Sequence, residues 1–495
     1  MSEYLLELSG IDKSFAGVHA LSNVDVKIKP GRVMCLCGEN GCGKSTLVKI
    51  ISGVYTRDSG KVIYEGKEIT KITPAEATRL GIQVIYQDLS IFPNLTVMEN
   101  LAINSEITRG AKLVDRKRWK KTAEEALSKI GFNIDLNARM GDLPVADKQL
   151  VAICRALLFN AKLIIMDEPT TALTKKEVDA LFKTVRELKS RGIAIMFISH
   201  KTEEIYEISD DVTIMRNGKV VYTGDTSKLT RDDFTYYLTG RHIKPDYFVP
   251  ENISEEPILE VNKMTLKNGL CRDVTFHLKK GEILGVTGLL GSGRTELAEA
   301  LFGLQKVASG SIKINGKEVT IKSPREAQKL GIGYVPEDRL TEGLCLGQPI
   351  ADNIAFASLK RLSNKGVLLE KDIIKDAEGW KDKFSIATDD VKKLVSTLSG
   401  GNQQKVVLSK WLADTPSILI LNGPTVGVDV GAKQDIHALV HDLANKEGLA
   451  VIIISDDLPE VVVNCSRVIA MKEGHIVGEM SGDEITEENI LQVIR

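Results

Sequence analysis

The residues best suited to chemistry begin at Gly38. Gly38-Glu39-Asn40-Gly41-Cys42-Gly43-Lys44-Ser45 has the spacing G-x-x-x-x-G-K-[ST], set between an apolar run and a helical segment. Glycines permit a tight loop whose backbone N–H groups converge on phosphate oxygens, and the following helix start adds a favourable dipole. Lys44 would reach the outer phosphates, Ser45 would bind a magnesium ion, and Thr46 continues the contact surface. Asp167 and Glu168 close the apolar run Leu163 to Met166, where a purely structural strand has little reason to carry two carboxylates. Asp167 would hold the metal's coordination shell, and Glu168 would polarise an attacking water. Gln87 follows the run Ile82 to Tyr86, and His200 follows Ile193 to Ser199. Gln87 would touch metal and water, and His200 the γ-phosphate. Leu398-Ser399-Gly400-Gly401-Asn402 precedes a helical run to about Trp411, so Ser399 and both glycines would present N–H groups at a second helix start. Each feature alone also has a plain structural reading as strand end, turn or cap, and it is their order and spacing that join them.

The elements that must position these residues come twice. The segment GEILGVTGLLGSGRTEL from Gly281 echoes GRVMCLCGENGCGKSTL from Gly31, 250 residues earlier. Asp142 onward aligns with Thr397 onward and Ile164 onward with Leu419 onward, both at an offset of 255, and Met196 onward aligns with Ile452 onward at 256. Four blocks in one order at a near-constant offset indicate a tandem duplication. Residues 241–257 gather three prolines and several acids and break both periodicities, so they are expected to be a linker between domains 1–240 and 258–495. Strand-length apolar runs alternate with helical segments, which predicts an α/β fold with a mainly parallel sheet in each half. Residues 96–159 turn helix-rich, with helical spacing from Ala123 and from Gln149, and predict a helical subdomain.

Composition narrows the remainder. A chain of 495 residues with 43% hydrophobic and 27% charged residues suits an ordinary folded protein of two or three domains. Lys plus Arg number 65 against 67 Asp plus Glu, a formal charge of −2 that gives no general attraction to nucleic acid or anionic lipid. Apolar runs are far shorter than the roughly 20 residues that cross a bilayer, and the beginning MSEYLLELSG has no basic flank or cleavage site, so the chain is expected in the cytosol. Its seven cysteines lack metal-ligand spacing and are expected to be reduced and mostly buried.

Together, Gly38 to Ser45, Gln87, Leu398 to Asn402, Asp167-Glu168 and His200 resemble the ATP-binding cassette (ABC) ATPases. The duplication, with the phrases GGNQQKVVLSKWL and GVDVGAK in the second half, is similar to the ATP-binding subunits of bacterial monosaccharide importers. The resemblance implies two tandem P-loop nucleotide-binding domains, each with a mainly parallel core sheet, an antiparallel β part and a helical subdomain. It implies ATP and Mg2+ as cofactors, separate membrane permeases and an extracytoplasmic sugar-binding protein as partners, and a place at the cytoplasmic face of the membrane. Residues 88–100, with Ile91, Phe92 and Leu95, are then the expected permease-docking region.

The family pairs its cassettes head to tail, which implies two composite sites of unequal quality. Site one joins Gly38 to Thr46, Gln87, Asp167, Glu168 and His200 to Ser399, Gly400, Gly401, Asn402 and Asp429, with Phe15 where the family stacks an aromatic ring on adenine. In site two Arg294 replaces the loop lysine, Asn422 the metal-shell aspartate and Gly423 the water-polarising glutamate. Glu337 and Asp456 stand at the glutamine and histidine positions, and the facing signature Leu143-Pro144-Val145-Ala146-Asp147 loses an N–H and both glycines. Only one site is expected to turn over. The rival readings are a twin-cassette ATPase acting on ribosomes, a DNA-repair cassette protein and a nucleoside importer's ATPase.

Overall fold

The computed structural model describes residues 3–15, 18–86, 89–108, 113–128, 134–171, 173–199, 201–242, 247–289, 291–363 and 366–494. The chain divides into two compact units, Met1–Ile243 and Lys244–Arg495.

In the first unit a six-stranded sheet runs in the order Lys219–Asp225, Asp211–Arg216, Val33–Gly38, Ala194–Ile198, Leu163–Asp167, Ile82–Ile85. Neighbours are parallel except for the antiparallel edge pair of the first two strands. The central strands Val33–Gly38 and Ala194–Ile198 are buried along their whole length, as continuous apolar runs require when both sheet faces are covered. On one face Met34, Leu36, Ile165, Met196 and Ile198 share a core with Leu6, Leu8, Ile11, Leu21 and Val24. The latter come from an antiparallel sheet ordered Val18–Ile28, Leu6–Phe15, Ser59–Tyr64, Lys67–Glu68. Helix Lys44–Ile51 contributes Leu47, Val48, Ile50 and Ile51 to this same core, which anchors the Gly-rich loop from behind.

The helical part consists of Val97–Thr108, Arg116–Ser128 and Val145–Leu158 around Val97, Leu101, Ala123, Ala126, Met140, Val151 and Cys154. Two of these helices begin earlier than their apolar spacing indicates, at Arg116 rather than Ala123 and at Val145 rather than Gln149. The basic turns of Arg116–Lys121 mask a helical face whose one early anchor is the buried Trp119.

The second unit repeats the topology. Its six-stranded order is Ile332–Val335, Ile418–Asn422, Ala450–Ile454, Ile283–Gly288, Arg467–Lys472, His475–Ser481, the first unit's order read from the opposite edge. Its four-stranded order is Val274–Lys279, Pro257–Leu266, Val307–Ile314, Lys317–Val319. The stretch expected to be a linker is in large part structured on this unit. Phe248 is buried in its core, donates its N–H to Val463 O at 2.8 Å and sets its ring 5.0 Å from that of His441. Asn445 brackets the same segment, accepting from Glu251 N–H at 3.0 Å and donating to Val249 O at 3.1 Å. All seven cysteines are free and six are buried, Cys345 being exposed. Burial, with Cys35 3.5 Å away, pushes the Cys37 thiol well above its ordinary range.

Candidate functional site

The Gly38–Ser45 loop leaves the buried strand Val33–Gly38 and enters helix Lys44–Ile51 through Gly43, at φ 106° and ψ 0°. A Cβ at Gly43 would lie 2.5 Å from Ala20 O, so only glycine closes this turn against the neighbouring strand. Lys44 is 7% exposed, and its ammonium donates to Gly38 O at 2.5 Å and Glu39 O at 3.0 Å, which lays the charge along the loop. The helix carries no acid in its first turn, and Ser45 is exposed at its start. Asp167 ends, half-buried, the strand Leu163–Asp167 one place beyond the neighbouring Ala194–Ile198, and its carboxyl is raised above the usual range by burial and by the neighbouring Glu168, against the pull of Lys44 and Lys49. These features suit triphosphate oxygens and a divalent cation: an unopposed positive helix start, a buried ammonium, and a carboxyl pair that a cation would relieve.

Glu168 has a backbone conformation that a side chain normally avoids, with φ 46°. Its N–H donates to Ile198 O at 3.0 Å, so the strain is held by the neighbouring strand end. Phe15 is 39% exposed and meets Tyr55 edge to face, 5.2 Å between ring centres, with the Lys13 ammonium 5.3 Å from its own ring. The ring is thus held in place and partly exposed. Gln87 and His200, placed at this site by the sequence, lie outside the described residues.

The segment after Gln87 is also strained, at Leu89 (φ 60°) and Ser90 (φ 44°). Arg155 holds both, its guanidinium donating to Ser90 O at 2.9 Å and Leu89 O at 3.1 Å from helix Val145–Leu158. Farther on, the buried Asn100 accepts from Phe92 N–H at 2.8 Å and donates to Phe92 O and Thr96 O, both at 3.0 Å. Within the expected docking region Ile91 and Leu95 are half-buried, Ile91 against the helical core, whereas Phe92 is 45% exposed. Sequence reasoning missed Arg155, although its repeat counterpart, 255 positions later, is Lys410, also basic.

Lys410 donates to Gly343 O at 2.5 Å, and burial lowers its ammonium from 10.5 to about 8. Between those values the unfolded chain binds a proton that the folded chain does not, so stability rises with pH across that window. The charged form thus costs about 3 kcal/mol below pH 8, and the cost is fully relieved above about 10.5. Lys410→Met is expected to abolish that rise. Denaturant unfolding of both proteins at several pH values checks this, and an identical rise in the variant would refute it.

In the second unit Ser399 caps helix Gly400–Leu412 from an extended conformation, and its hydroxyl accepts from Asn402 Nδ2 at 2.9 Å. Asn402 Oδ1 in turn accepts from Ala387 N–H at 2.8 Å. A Cβ at Gly401 would lie 2.5 Å from Ala432 Cβ, and one at Gly400 would lie 2.8 Å from Arg339 Nη2. The two glycines therefore serve close packing as well as open N–H groups. Arg339 ties this helix start to the next loop, donating to Val426 O at 2.8 Å and Gly427 O at 3.3 Å.

The second Gly-rich loop enters its helix through Gly293 at φ 96° and ψ 1°, much as the first does through Gly43, but has a different chemistry. Arg294 is 8% exposed, donates to Gly288 O, and pairs with Asp456 at 3.3 Å. Helix Arg294–Leu301 has Glu296 in its first turn. Asn422 is buried and donates to the Tyr334 hydroxyl at 3.3 Å, and Tyr334 stacks on Phe302. Gly423 sits at φ 59° in the place of Glu168. This set differs from the first loop in three ways that bear on a triphosphate and its cation: the cation of the loop is paired with an acid, the helix start carries a glutamate, and an amide bound to a phenol stands where the first unit has Asp167.

The fold and the first loop define a P-loop ATPase with duplicated cassettes. The ABC transporter family matches residues 21–171 and 271–426, and the chain belongs to that family as an ABC transporter ATPase with two ATP-binding cassettes. It is 42% identical over 99% of its length to a Halalkalibacterium halodurans protein, across 94% of that protein, which is provisionally named for ribose/galactose/methyl galactoside import as its ATP-binding protein. It is 41% identical over 98% of its length to the Ribose import ATP-binding protein RbsA of Clostridium tetani, 96% of which is covered. A solved ATP-binding cassette of an ABC transporter, in its ADP conformation, aligns over 48% of this chain and 94% of its own at 29% identity and a TM-score of 0.42.

Proposed function

We propose that this chain powers import of ribose, galactose or a related monosaccharide through a separate membrane permease, supplied by an extracytoplasmic sugar-binding protein. The sugar class rests on relatives at 41–42% identity that are named for such import and match over nearly the whole chain. Among the described residues no helix is long and apolar enough to cross a membrane, so the channel belongs to other subunits. Phe92 and the segment shaped by Asn100 and Arg155 form the docking surface toward the permease, at the cytoplasmic face.

The observation that carries the mechanism is the contrast between the units: the Lys44 ammonium is bonded to carbonyl oxygens of its own loop, whereas Arg294 is also paired with the acid Asp456. One site therefore works. The first unit holds the nucleotide by the N–H groups of Gly38 to Thr46, with Phe15 on the base; Ser45, Asp167 and Gln87 would hold Mg2+, which would supply charge neutralisation for the phosphates. Lys44 neutralises the outer phosphates as charge builds there. Glu168 polarises the water that attacks the γ-phosphorus, His200 steadies that phosphate, and the bond to the bridging oxygen of the leaving ADP breaks. Ser399, Gly400, Gly401, Asn402 and Asp429 of the second unit close over the same nucleotide, and this closure moves the permease.

Co-expression with the permease of a ribose importer tests the import reading. The chain is expected to sediment with membranes only when the permease is present, and ribose-loaded binding protein is expected to raise ATPase activity several-fold in proteoliposomes. Sedimentation with ribosomes, with no response to permease, would overturn it.

A further inference from the structure

Glu204 is buried at 8% exposure in helix Thr202–Ile208, four residues past His200, with no place in the chemistry above. Its Oε2 accepts from Thr170 Oγ1 at 2.7 Å and from Ser199 Oγ at 2.9 Å, and both donors are 2% exposed. Its Oε1 pairs with Lys201 Nζ at 3.1 Å, and that ammonium also reaches Thr170 O at 3.4 Å. Thr170 lies two residues past Glu168, and Ser199 directly follows the strand whose Ile198 O binds the Glu168 N–H. One buried carboxylate thus joins two segments that leave neighbouring parallel strands, one carrying the strained residue and the other following its hydrogen-bond partner Ile198.

The second unit repeats the device at the matching position. Glu460 accepts from Thr425 Oγ1 at 2.7 Å, from Ser455 Oγ at 2.5 Å and meets His437 Nε2 at 2.8 Å. Burial opposes its charge, but His437 and the two hydroxyls hold its carboxyl below the usual range. The unit has lost both reactive carboxylates yet keeps this one. The segment it holds runs from Gly423 to Asp429, which the proposed composite site uses in the other cassette's hydrolysis.

We infer that Glu204 is a positioning residue for hydrolysis, fixing the loop of Glu168 against the strand end that precedes His200. The inference rests on Glu168 being the water-polarising group. Carboxylate acceptors give shorter and stronger bonds than neutral ones, and they hold a left-handed residue whose displacement by about 1 Å can cost about a hundredfold in rate.

The test uses Thr170→Val, Ser199→Ala and their combination in the full chain, which remove the donors and leave Glu204 paired with Lys201. Assays run well below each variant's melting temperature. The double variant is expected to lower kcat for MgATP about ten- to a hundredfold, with KM and equilibrium ATP binding changed by less than about threefold. Thr170→Ser, which restores a hydroxyl, is expected to return most of the rate. Wild-type kcat in the double variant, with only the melting temperature lowered, would make Glu204 a purely structural residue and end the inference. Glu168→Gln is run beside it: if that protein turns over normally, the role of Glu168 fails first and that of Glu204 with it.

Discussion

Glu168→Gln is expected to abolish steady-state ATP hydrolysis while leaving ATP binding intact, a loss of about 10²–10⁴ or more for removal of a general base. Glu168→Gly is expected to lose the same activity and yet gain stability. Glu168 holds φ 46°, where a side chain costs about 1–2 kcal/mol that glycine avoids. For a domain of this size that corresponds to about 2–8 °C in melting temperature. The two variants separate chemistry from strain: both are inactive, and only the glycine form melts higher. ATPase activity in Glu168→Gln comparable to wild type would remove Glu168 from the mechanism. A lower melting point for Glu168→Gly would remove the strain argument.

The second large effect concerns the other cassette. Restoring its lost carboxylates with Asn422→Asp and Gly423→Glu is expected to yield no measurable turnover at that site. The assay is made in a Glu168→Gln background so that the first site is silent. Gly423 has φ 59°, and a Cβ there would lie 3.0 Å from Glu337 Cγ and from Val426 Cγ2. An aspartate at 422 loses the amide donor that bonds the Tyr334 hydroxyl, so the phenol would have to turn and donate instead, and the change brings a charge into a buried place. The pair is expected to destabilise the protein by about 2–4 kcal/mol. The Arg294 to Asp456 pair remains untouched by either substitution. Hydrolysis near the wild-type rate would show that the second pocket lacks only its carboxylates.

Much of this could be read from residue types. The loop at Gly38 and the carboxylates after Met166 carry their chemistry in their spacing, and the duplicated blocks foretold two matching sheets. Other features depend on conformation and could not be read. The left-handed backbone shared by Glu168 and Gly423 is a φ value, and the sequence shows only that one residue replaced the other. Arg294 and Asp456 read as two separate losses, whereas the fold pairs them. Residues 241–257 looked like a free joint because proline and acidic residues break periodicity. Phe248 alone hinted that part of the stretch would be buried, and Asn445, which fastens it, lies some 194 residues away. Glu204 and Glu460 had a usable signal in their common offset of 256, but an acid in a surface-length helix gave no reason to expect it inside.

The pairing of Arg294 with Asp456 also bears on how readily either residue can be exchanged. Replacing Asp456 alone would take the acid from a nearly buried guanidinium, whereas Asp456, with its side chain 70% exposed, would tolerate the loss of Arg294 more easily. The coupling is one-sided: the arginine leans on the acid more than the acid leans on the arginine.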